Sequence, residues 1–307
     1  MDAIEKHMLE QIADLHGIPE GAYNIRYNGK KDGRKTTANI DIVTKTEEGR
    51  SGIDIIIRPG TKNESVHIPV VLSQSGLKDI VYNDFYIGDD ADVTIIAGCG
   101  IHNCGTDTSE HDGIHTFHIG KNARIRYVEK HYGEGDGTGE RILNPETIIY
   151  IGEGGRMEMD TVQIKGVTST KRVTRAELSA GASLEISEKI MTHGSQYAET
   201  DFTVDMNGEG CSANVISRSV AKGTSRQLFV SRINGNCPCT GHTECDAIIM
   251  DHACVTAEPQ LTANDIDASL IHEAAIGKIA GEQLIKLMTL GLTEAEAEEQ
   301  IVNGFLK

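Results

Sequence analysis

The side chains best suited to chemistry are concentrated in residues 237–273. This stretch contains four of the seven cysteines, three of the twelve histidines and a glutamate beside the last histidine. They are Cys237, Cys239, Cys245, Cys254, His242, His252, His272 and Glu273. Thiolate, imidazole and carboxylate are the ligands that soft and borderline metals choose. We therefore expect this region to handle a metal ion or an iron–sulfur cluster.

The first ligands of this stretch have the spacing C-x-C-x2-H-x2-C, formed by Cys237, Cys239, His242 and Cys245. A closed zinc site is one interpretation, although zinc ribbons use C-x2-C pairs. Cys245 follows three polar residues and precedes an aspartate, which predicts a coil-end position where the thiolate could be reached. Free cysteines are commonly buried as small hydrophobes, and we interpret Cys254, within a strand-like run, in this way.

A second cluster lies within residues 99–118 and combines two cysteines with four histidines. They are Cys99, His102, Cys104, His111, His115 and His118. His115 and His118 flank two residues of a predicted strand, so they point to opposite faces and cannot both bind one ion. The spacing C-x2-H-x-C is an imperfect zinc motif. The density of ligands nevertheless keeps Cys99 and Cys104 as candidate site residues.

The composition argues against several classes of function. A net charge of −17 and a pI near 5.1 disfavour nucleic-acid binding, because an acidic surface repels phosphates. The opening segment is a charged amphipathic helix rather than a signal peptide. No apolar run in the sequence approaches the roughly 18 residues that span a bilayer. We expect a cytoplasmic protein without a membrane partner, where clustered thiols indicate metals or catalysis before structural disulfides.

The elements that must position these side chains are short strands in a repeat. In each repeat an apolar residue, a small residue, two turn residues and another small residue precede an alternating strand. The repeats begin at Ile87, Ile119, Ile151, Leu178 and Met206, a period of about 27–32 residues that is typical of solenoids. One such unit cannot bury its apolar face alone, so stacking must build the core. We predict a mostly β fold, a β-helix-like solenoid over residues 36–273, with a β-sandwich as the alternative.

A small residue closes each turn motif, and the last motif contains one extra residue. These small residues are Ala91, Ala123, Gly155, Ala182 and Gly210. We expect them to stack inside a corner of each coil. Cys211 follows the last of them and is interpreted as structural. A glycine-rich run at 133–139 lacks the Lys-Ser/Thr pair of a P-loop, so it is interpreted as a loop between coils.

Helical segments are predicted at both ends of the chain. Apolar residues recur at helical spacing over residues 2–16, Gly17 would end this helix, and a connector completes residues 1–35. Within residues 274–307 one helix is expected over 281–290. A second, started by a Thr293–Glu296 capping box, runs to Asn303-Gly304. We interpret the first helix as a surface cap, and the last pair either as a cap or as a docking face.

Beyond these patterns, the chain resembles a known family over roughly residues 70–307. The likeness is carried by residues 242–246 (HTECD), the coil 119–127 (IGKNARIRY) and the tail 276–305 with its GEQL and GLTEAEA runs. These residues are similar to those of the SufB/SufD proteins, the core of the SUF iron–sulfur cluster assembly machinery. The likeness implies a right-handed parallel β-helix flanked by short N-terminal and C-terminal helical segments.

The resemblance also implies a role and partners. Family members do not hydrolyse ATP themselves but pair with the ABC-type ATPase SufC, which docks on the C-terminal helices. In this chain the docking residues would be Gln283, Leu284, Leu287, Met288, Ile301 and Phe305. We therefore expect a compact, SufB-like scaffold that is not an enzyme. It would form a homodimer, or a SufB/SufD-type heterodimer, and hand a transient iron–sulfur cluster to recipient apo-proteins.

The same resemblance suggests roles for individual residues. Cys245 matches the cysteine on which the nascent cluster is built, and His272 and Glu273 match a His-Glu pair near it. Cys99 lies near the cysteine associated with the arrival of sulfur, and Cys104 is the rival alignment.

The chain also departs from the family. Glu129 and His131 stand where SufB has Gln and Trp, which puts the sulfur path of the family in doubt here. Cys237-Pro238-Cys239 has no counterpart. Two other functions are considered: a zinc-stabilised structural or binding solenoid with no assembly role, and a polysaccharide-active enzyme, which the absence of Trp argues against.

Overall fold

The computed structural model describes residues 3–46 and 49–307. The molecule is mostly β-structure, a parallel β-solenoid of about eight turns with short helices near both ends. The first four strands form two antiparallel pairs, β1 with β2 and β3 with β4, one in each of two sheets. From β4 onwards the chain alternates between the two sheets, and the strands pair in parallel with the equivalent strand of the next coil, as β7 does with β9. The solenoid predicted from the repeat is therefore confirmed, and the β-sandwich is not observed among the described residues.

Twenty strands and three helices build the described part of the chain. The first ten strands are β1 Ala22–Tyr27, β2 Lys30–Lys35, β3 Ile40–Thr44, β4 Gly52–Ile57, β5 Lys62–Leu72, β6 Lys78–Ile87, β7 Asp92–His102, β8 Ser109–Ile119, β9 Arg124–Glu134 and β10 Arg141–Leu143. The others are β11 Glu146–Ile151, β12 Arg156–Lys165, β13 Ser169–Leu178, β14 Ser183–Thr192, β15 Tyr197–Met206, β16 Ser212–Ala221, β17 Arg226–Gly235, β18 Cys239–Ile249, β19 Cys254–Ala263 and β20 Ala268–Gly277. The helices are α1 Ala3–Ala13, α2 Gly281–Thr289 and α3 Glu294–Phe305.

The strands form two ten-membered sheets that enclose the core. One sheet has the order β2-β1-β5-β7-β9-β12-β14-β16-β18-β20, and the other has the order β19-β17-β15-β13-β10-β8-β6-β4-β3, with β11 joining β8 and β13. Parallel, in-register pairing stacks equivalent side chains from coil to coil. Phe85 and Phe117, for example, stack with ring centroids 4.3 Å apart. Every second side chain of a strand points inwards, so the interior is a continuous column that runs the length of the solenoid.

The turn motif places a left-handed residue before each buried corner residue. The left-handed residues, with φ between 55° and 72°, are Asp90, Asn122, Gly154, Gly181 and Gly210. In the first four motifs the next small residue fills the corner as predicted. In the fifth motif the extra residue moves Gly210 to the left-handed position, which glycine adopts without steric cost. Cys211 takes the corner instead and is buried, so its structural role is confirmed and the corner role predicted for Gly210 is wrong.

The N-terminal helix caps one sheet, as predicted. Met8, Leu9 and Ile12 of α1 are buried, and the helix packs against β5, β7 and β9. The helix ends earlier than expected, at Ala13, where Asp14 adopts a positive φ of 51°. Residue 2, the predicted start, lies outside the described residues. The segment interpreted as a connector instead forms β1 and β2, because β1 pairs in parallel with β5 and extends the sheet.

The solenoid extends further at its C-terminal end than predicted. The predicted end was residue 273, but β20, which contains His272 and Glu273, continues to Gly277. Helix α3 begins with the predicted capping box between Thr293 and Glu296, and its buried Val302 belongs to an apolar cluster with Val220 of β16. Every residue of α2 is at least partly exposed. Within the described ranges no helix is long and apolar enough to cross a membrane.

Candidate metal site and interior polar network

Strands β18 and β20 bring ligands from two coils together at the C-terminal end of one sheet. Their parallel register places Glu244 beside Glu273 and His242 beside Ile271. Because side chains alternate between the faces of a strand, His242, Glu244 and Glu273 share the outer face, and all three are partly or fully exposed. Sequence analysis identified His242 and Glu273 but missed Glu244, although its position two residues after His242 could have indicated a shared face.

His242, Glu244 and Glu273 form a group that could hold a metal ion. One ligand atom from each side chain lies within 4.8 Å of the other two, and His242 Nε2 is 3.7 Å from Glu273 Oε2. One imidazole and two carboxylates suit a divalent ion such as Fe²⁺. Three protein ligands on an exposed face would also leave coordination positions open for sulfide.

Neighbouring side chains prepare this group for a metal. His242 Nδ1 is 2.9 Å from Asn214 Oδ1, which favours the tautomer that donates from Nδ1 and leaves the lone pair of Nε2 free for a metal. Burial and a hydrogen bond with Asp246 raise the pKa of Glu244. Because a cation competes with protons for this carboxylate, metal binding should improve as pH rises.

Cys245 and His272 point to the inner face of the same two strands. Cys245 lies in the middle of β18 with 1% of its surface exposed, so the reachable coil-end position predicted for it is wrong. Burial, and then the negative charges of Glu188 and Asp246, raise the pKa of this thiol to about 12. His272 Nδ1 is buried and finds no hydrogen-bond partner among residues 3–46 and 49–307. The structure thus separates Cys245 and His272 from Glu273 by the alternation of faces.

Three thiols meet at the corner before β18. Cys237 is half-buried, and its thiol lies within hydrogen-bond range of the buried thiols of Cys211 and Cys239. The predicted four-ligand zinc site is not assembled, however. Cys239 and Cys245 face the core, whereas His242 faces outwards from the same strand. The structure therefore corrects the zinc interpretation of this spacing.

A buried ion-pair network occupies the middle of the interior column. Arg172 is 1% exposed, pairs with Glu129 and places its Nε 3.4 Å from Glu188 Oε1. Its Nη2 lies 3.2 Å from His131 Nδ1. Burial opposes ionisation of Glu129, but His131 and Arg172 outweigh it and hold the pKa of Glu129 well below its usual range. Sequence analysis singled out Glu129 and His131, but it missed Arg172 and Glu188, which arrive from other coils.

Cys99 lies further along the interior column and is 5% exposed. Burial alone would raise its pKa, but the positive charges of the neighbouring His111 and His131 lower the pKa of Cys99 to about 7. Burial alone would lower the pKa of His111, but Cys99 and Asp79 raise it to about 10. These opposite shifts favour a thiolate–imidazolium pair at this buried position.

The remaining members of the second cluster separate by face. His115 is buried and His118 is exposed, as predicted for two sides of one strand. His102 ends β7, and the exposed Cys104 follows it on the surface. Glu134, at the end of β9 in the next coil, hydrogen-bonds to His102. Cys104 is therefore in contact with solvent, unlike Cys99 and Cys245.

The last coil leaves the C-terminal end of the solenoid open. Strands β19 and β20 are terminal in their sheets, so each presents one backbone edge. The hydrophobic side chains Leu261 and Ile271 on these strands are 38% and 51% exposed. Cys254, the first residue of β19, is exposed and pairs with Arg226 of β17, which is also exposed, so it lies on the outer face of the sheet and the core position predicted for it is wrong.

The C-terminal helices border a second open surface. A cleft of about 800 Å³ lies between these helices and the ends of β18 and β20, and Gln283, Ile301 and Phe305 contribute to its lining. On α2, Leu284 and Leu287 are half-buried and Met288 is 43% exposed. Three of the six residues expected to dock a partner therefore line this cleft, and the other three are at least partly exposed on α2.

Comparison with known proteins identifies a family that this chain matches over most of its length. Residues 81–305 match the family model for the SufBD core domain of SUF-system FeS cluster assembly. An iron–sulfur cluster assembly SufBD family protein of Methanocaldococcus jannaschii is 28% identical, covering 85% of this chain and 83% of its own length. Similar proteins of the same description occur in Archaeoglobus fulgidus (30% identity; 85% and 69% coverage) and Methanothermobacter thermautotrophicus (30%; 71% and 53%).

Proposed function

Because this chain belongs to the SufBD family of the SUF iron–sulfur cluster assembly system, we propose that it is a scaffold subunit on which clusters are built. Iron and sulfide are its cargo, and the finished cluster passes to recipient apo-proteins. The chain itself is a scaffold rather than an ATPase.

One observation carries the proposal: His242, Glu244 and Glu273 converge on the outer face of β18 and β20. Iron is held there by nitrogen and oxygen donors. Such ligands bind iron less tightly than a full set of thiolates would, which suits a cargo that must leave. The half-exposed position of the group gives iron and recipient proteins direct access.

Cys245 and His272 supply the thiolate and imidazole for cluster growth in this proposal. They occupy the inner face of the same two strands, and the orphaned His272 Nδ1 is a ready ligand. In the conformation described above, the Cys245 thiol is buried, and its raised pKa keeps it protonated. Cluster assembly therefore needs a movement of the last coil that exposes Cys245. Without that movement the buried thiol cannot bind iron, and the scaffold would be inactive.

The partners follow from the two open surfaces. A second copy of the chain, or a SufB/SufD-type relative, pairs with the free edges of β19 and β20 and covers the exposed Leu261 and Ile271. A SufC-like ABC ATPase docks on α2 and the adjoining cleft, through Gln283, Leu284, Leu287, Met288, Ile301 and Phe305. Helix α3 packs on the solenoid through Val302. A movement of the docked ATPase would therefore be transmitted through this helix to the last coils.

The test is anaerobic purification after co-expression with a SufC-like ATPase, followed by measurement of iron and acid-labile sulfide. We expect iron and sulfide in near-equal amounts. The double variant Glu244→Gln/Glu273→Gln should lose most of both, because it removes two of the three iron ligands. The matched control is Glu185→Gln on β14, an exposed carboxylate on the same sheet two coils away.

Two results would overturn the assignment. Zinc without sulfide in the parent protein would favour a structural metal site. If the parent protein and the double variant contain equal amounts of iron and sulfide, the iron is not bound by His242, Glu244 and Glu273, the outer-face metal group. Cys245→Ser, measured in parallel, tests the thiolate separately from the carboxylates.

A further inference from the structure

Three thiols converge at one corner of the solenoid, and the outer-face metal group uses none of them. Cys211 and Cys239 occupy the same corner position in successive coils, because Ser212 pairs with Thr240 and the backbone N–H of Thr240 donates to Cys211 O at 3.2 Å. Neighbouring strands of a sheet are about 4.8 Å apart, so the two corner residues are direct neighbours. Both are buried.

Cys237 supplies the third thiol from the turn that leads into β18. Its Sγ donates to Met206 O at 3.3 Å, and it lies within hydrogen-bond range of the thiols of Cys211 and Cys239. Pro238 fixes its own φ and restricts the residue before it, and its carbonyl accepts a hydrogen bond from the turn of the preceding coil at 2.8 Å. The turn therefore holds its two cysteines in place before any ligand binds.

Packing alone does not require a thiol at either corner. The equivalent residues in the coils before and after are Ala182 and Ala268, which are in register with Cys211 and Cys239. Ala182 and Cys211 are each 1% exposed, so alanine fills its corner as completely as cysteine does. Two adjacent cysteines where alanine suffices indicate that their sulfur atoms have a role besides filling space.

The two corner thiols are neutral in the absence of a cation. Burial raises the pKa of Cys211 to about 12, and it also raises the pKa of Cys239. Neither group is therefore a nucleophile near neutral pH. A thiophilic metal ion still binds such groups by displacing their protons, and the half-buried Cys237 gives the ion access to the corner.

We propose that Cys211, Cys237 and Cys239 form a binding site for a soft monovalent metal ion, Cu(I). Thiolates select soft ions such as Cu(I), whereas Mg²⁺ and Mn²⁺ prefer oxygen ligands. No electron is transferred in this step. Each thiol that binds the ion releases its proton, and the charge of the ion then compensates the negative charge of the sulfur ligands within the corner.

The arrangement fits Cu(I) better than zinc. Structural zinc sites take four ligands in a tetrahedral arrangement, whereas this corner brings together three thiols. A carboxylate near Cys239, that of Asp265, already accepts a hydrogen bond from the backbone N–H of Asp267 at 2.9 Å. Cu(I) is satisfied by fewer sulfur ligands, so the three thiols suffice without this carboxylate.

A bound ion would join two successive coils. Cys211 immediately precedes β16, and Cys239 begins β18, so a metal ion shared between them links these strands at their N-terminal ends. Anything that binds the folded protein and not the unfolded chain stabilises the fold. Cu(I) should therefore raise the thermal stability of the protein.

The experiment is anaerobic titration of the intact, iron-free protein with Cu(I), in competition with a Cu(I)-chelating dye. Cys237→Ser should weaken Cu(I) binding by at least about a hundredfold, the largest effect that loss of an outer-shell partner has. Cys211→Ala and Cys239→Ala should weaken it as strongly, and both should fold because alanine suits this corner. Cys254→Ser is the matched control, since it removes an exposed thiol from the other sheet and should leave the affinity unchanged.

Thermal unfolding with and without Cu(I) is the second measurement. Cu(I) should raise the unfolding temperature of the parent protein, and the three corner variants should lose this shift while they still unfold cooperatively. Equal Cu(I) affinity in the parent and Cys237→Ser, or tighter binding of Zn(II) than of Cu(I) at these thiols, would overturn the proposal.

The site is independent of the proposed iron site. His242, Glu244 and Glu273 lie on the outer face of β18 and β20, and none of them is a ligand at the corner. Glu244→Gln/Glu273→Gln should therefore bind Cu(I) as the parent does. Loss of Cu(I) binding in this double variant would contradict the assignment of the ion to the three thiols.

Discussion

His242 and Glu273 face each other across two coils, with Nε2 of the histidine 3.7 Å from Oε2 of the glutamate. The two residues lie thirty-one positions apart, and the parallel register of β18 and β20 makes them neighbours. Because Asn214 Oδ1 accepts from the other ring nitrogen, Nε2 is directed towards the carboxylate and is available to a cation.

The first prediction concerns Asn214, which touches His242 and not the metal. Asn214→Ser should weaken Fe²⁺ binding by about tenfold, because loss of an outer-shell partner frees the imidazole to rotate and change tautomer. Anaerobic titration with Fe²⁺ measures this. Asn207→Ser, which removes another exposed coil-to-coil amide hydrogen bond, should leave the affinity unchanged. Equal weakening in both variants would point to general loosening of the solenoid.

The second prediction concerns the reactivity of Cys245. With a pKa of about 12, only about one thiol in ten thousand is ionised at pH 8, and burial blocks the reagent as well. We expect Cys245 to be alkylated at least about a hundredfold more slowly than the exposed Cys254. Peptide mapping after iodoacetamide pulses measures both rates in one sample. Similar rates would mean that the last coil opens readily without an ATPase.

The third prediction concerns the thiolate at Cys99. Its pKa of about 7 places the thiolate above neutral pH, so absorbance at 240 nm should rise with a midpoint near pH 7. Cys99→Ser should abolish this step. His111→Gln should move the midpoint upwards, because burial then acts without a compensating cation. An unchanged midpoint in His111→Gln would contradict the pairing.

The same pair should add little pH dependence to stability. The lowered pKa of Cys99 adds stability as pH rises above about 7, and the raised pKa of His111, to about 10, removes stability as pH rises above 6.5. Between pH 7 and 9 the folded pair holds one proton, and so does the unfolded chain. The two contributions therefore cancel in that window.

The fourth prediction concerns Arg172, which sits between two buried carboxylates. Arg172→Met should destabilise the protein by about 3–5 kcal/mol, because Glu129 keeps a buried charge without its principal partner. Urea denaturation measures the difference. Arg126→Met removes an ion pair with Asp160 in which both side chains are exposed, and should cost no more than about 1 kcal/mol. Equal costs would mean that Arg172 is not essential to the network.

The fifth prediction concerns the open end of the solenoid. Ile271→Lys places a charge on the edge strand β20 and should convert a dimer to a monomer, because burying an unpaired lysine is unfavourable. Light scattering after size-exclusion chromatography measures the mass. Ile56→Lys is the control, since Ile56 is 42% exposed but lies on β4, near the other end of the sheets. A dimer that persists in Ile271→Lys would place the interface elsewhere.

The sequence alone determined the architecture. The turn motif recurs because each coil must close on a left-handed residue such as Asn122 or Gly154 and a small corner residue such as Ala123. These requirements concern residues that are adjacent in sequence, so they produce a sequence repeat that can be recognised without the structure. The capping box at Thr293 and Glu296 is readable for the same reason.

Tertiary structure decided which side chains meet. Cys245 and Glu273 come from adjacent strands, yet alternation of faces buries one and exposes the other, and Glu244 rather than Cys245 completes the metal group. Cys254 looked like a core residue because it lies in a strand-like run, but its register with the exposed Arg226 of β17 places it on the outer face of the sheet. Contacts between residues that are distant in sequence set the register between neighbouring coils. They also set the position of the last coil of the solenoid. No local sequence pattern encodes either property.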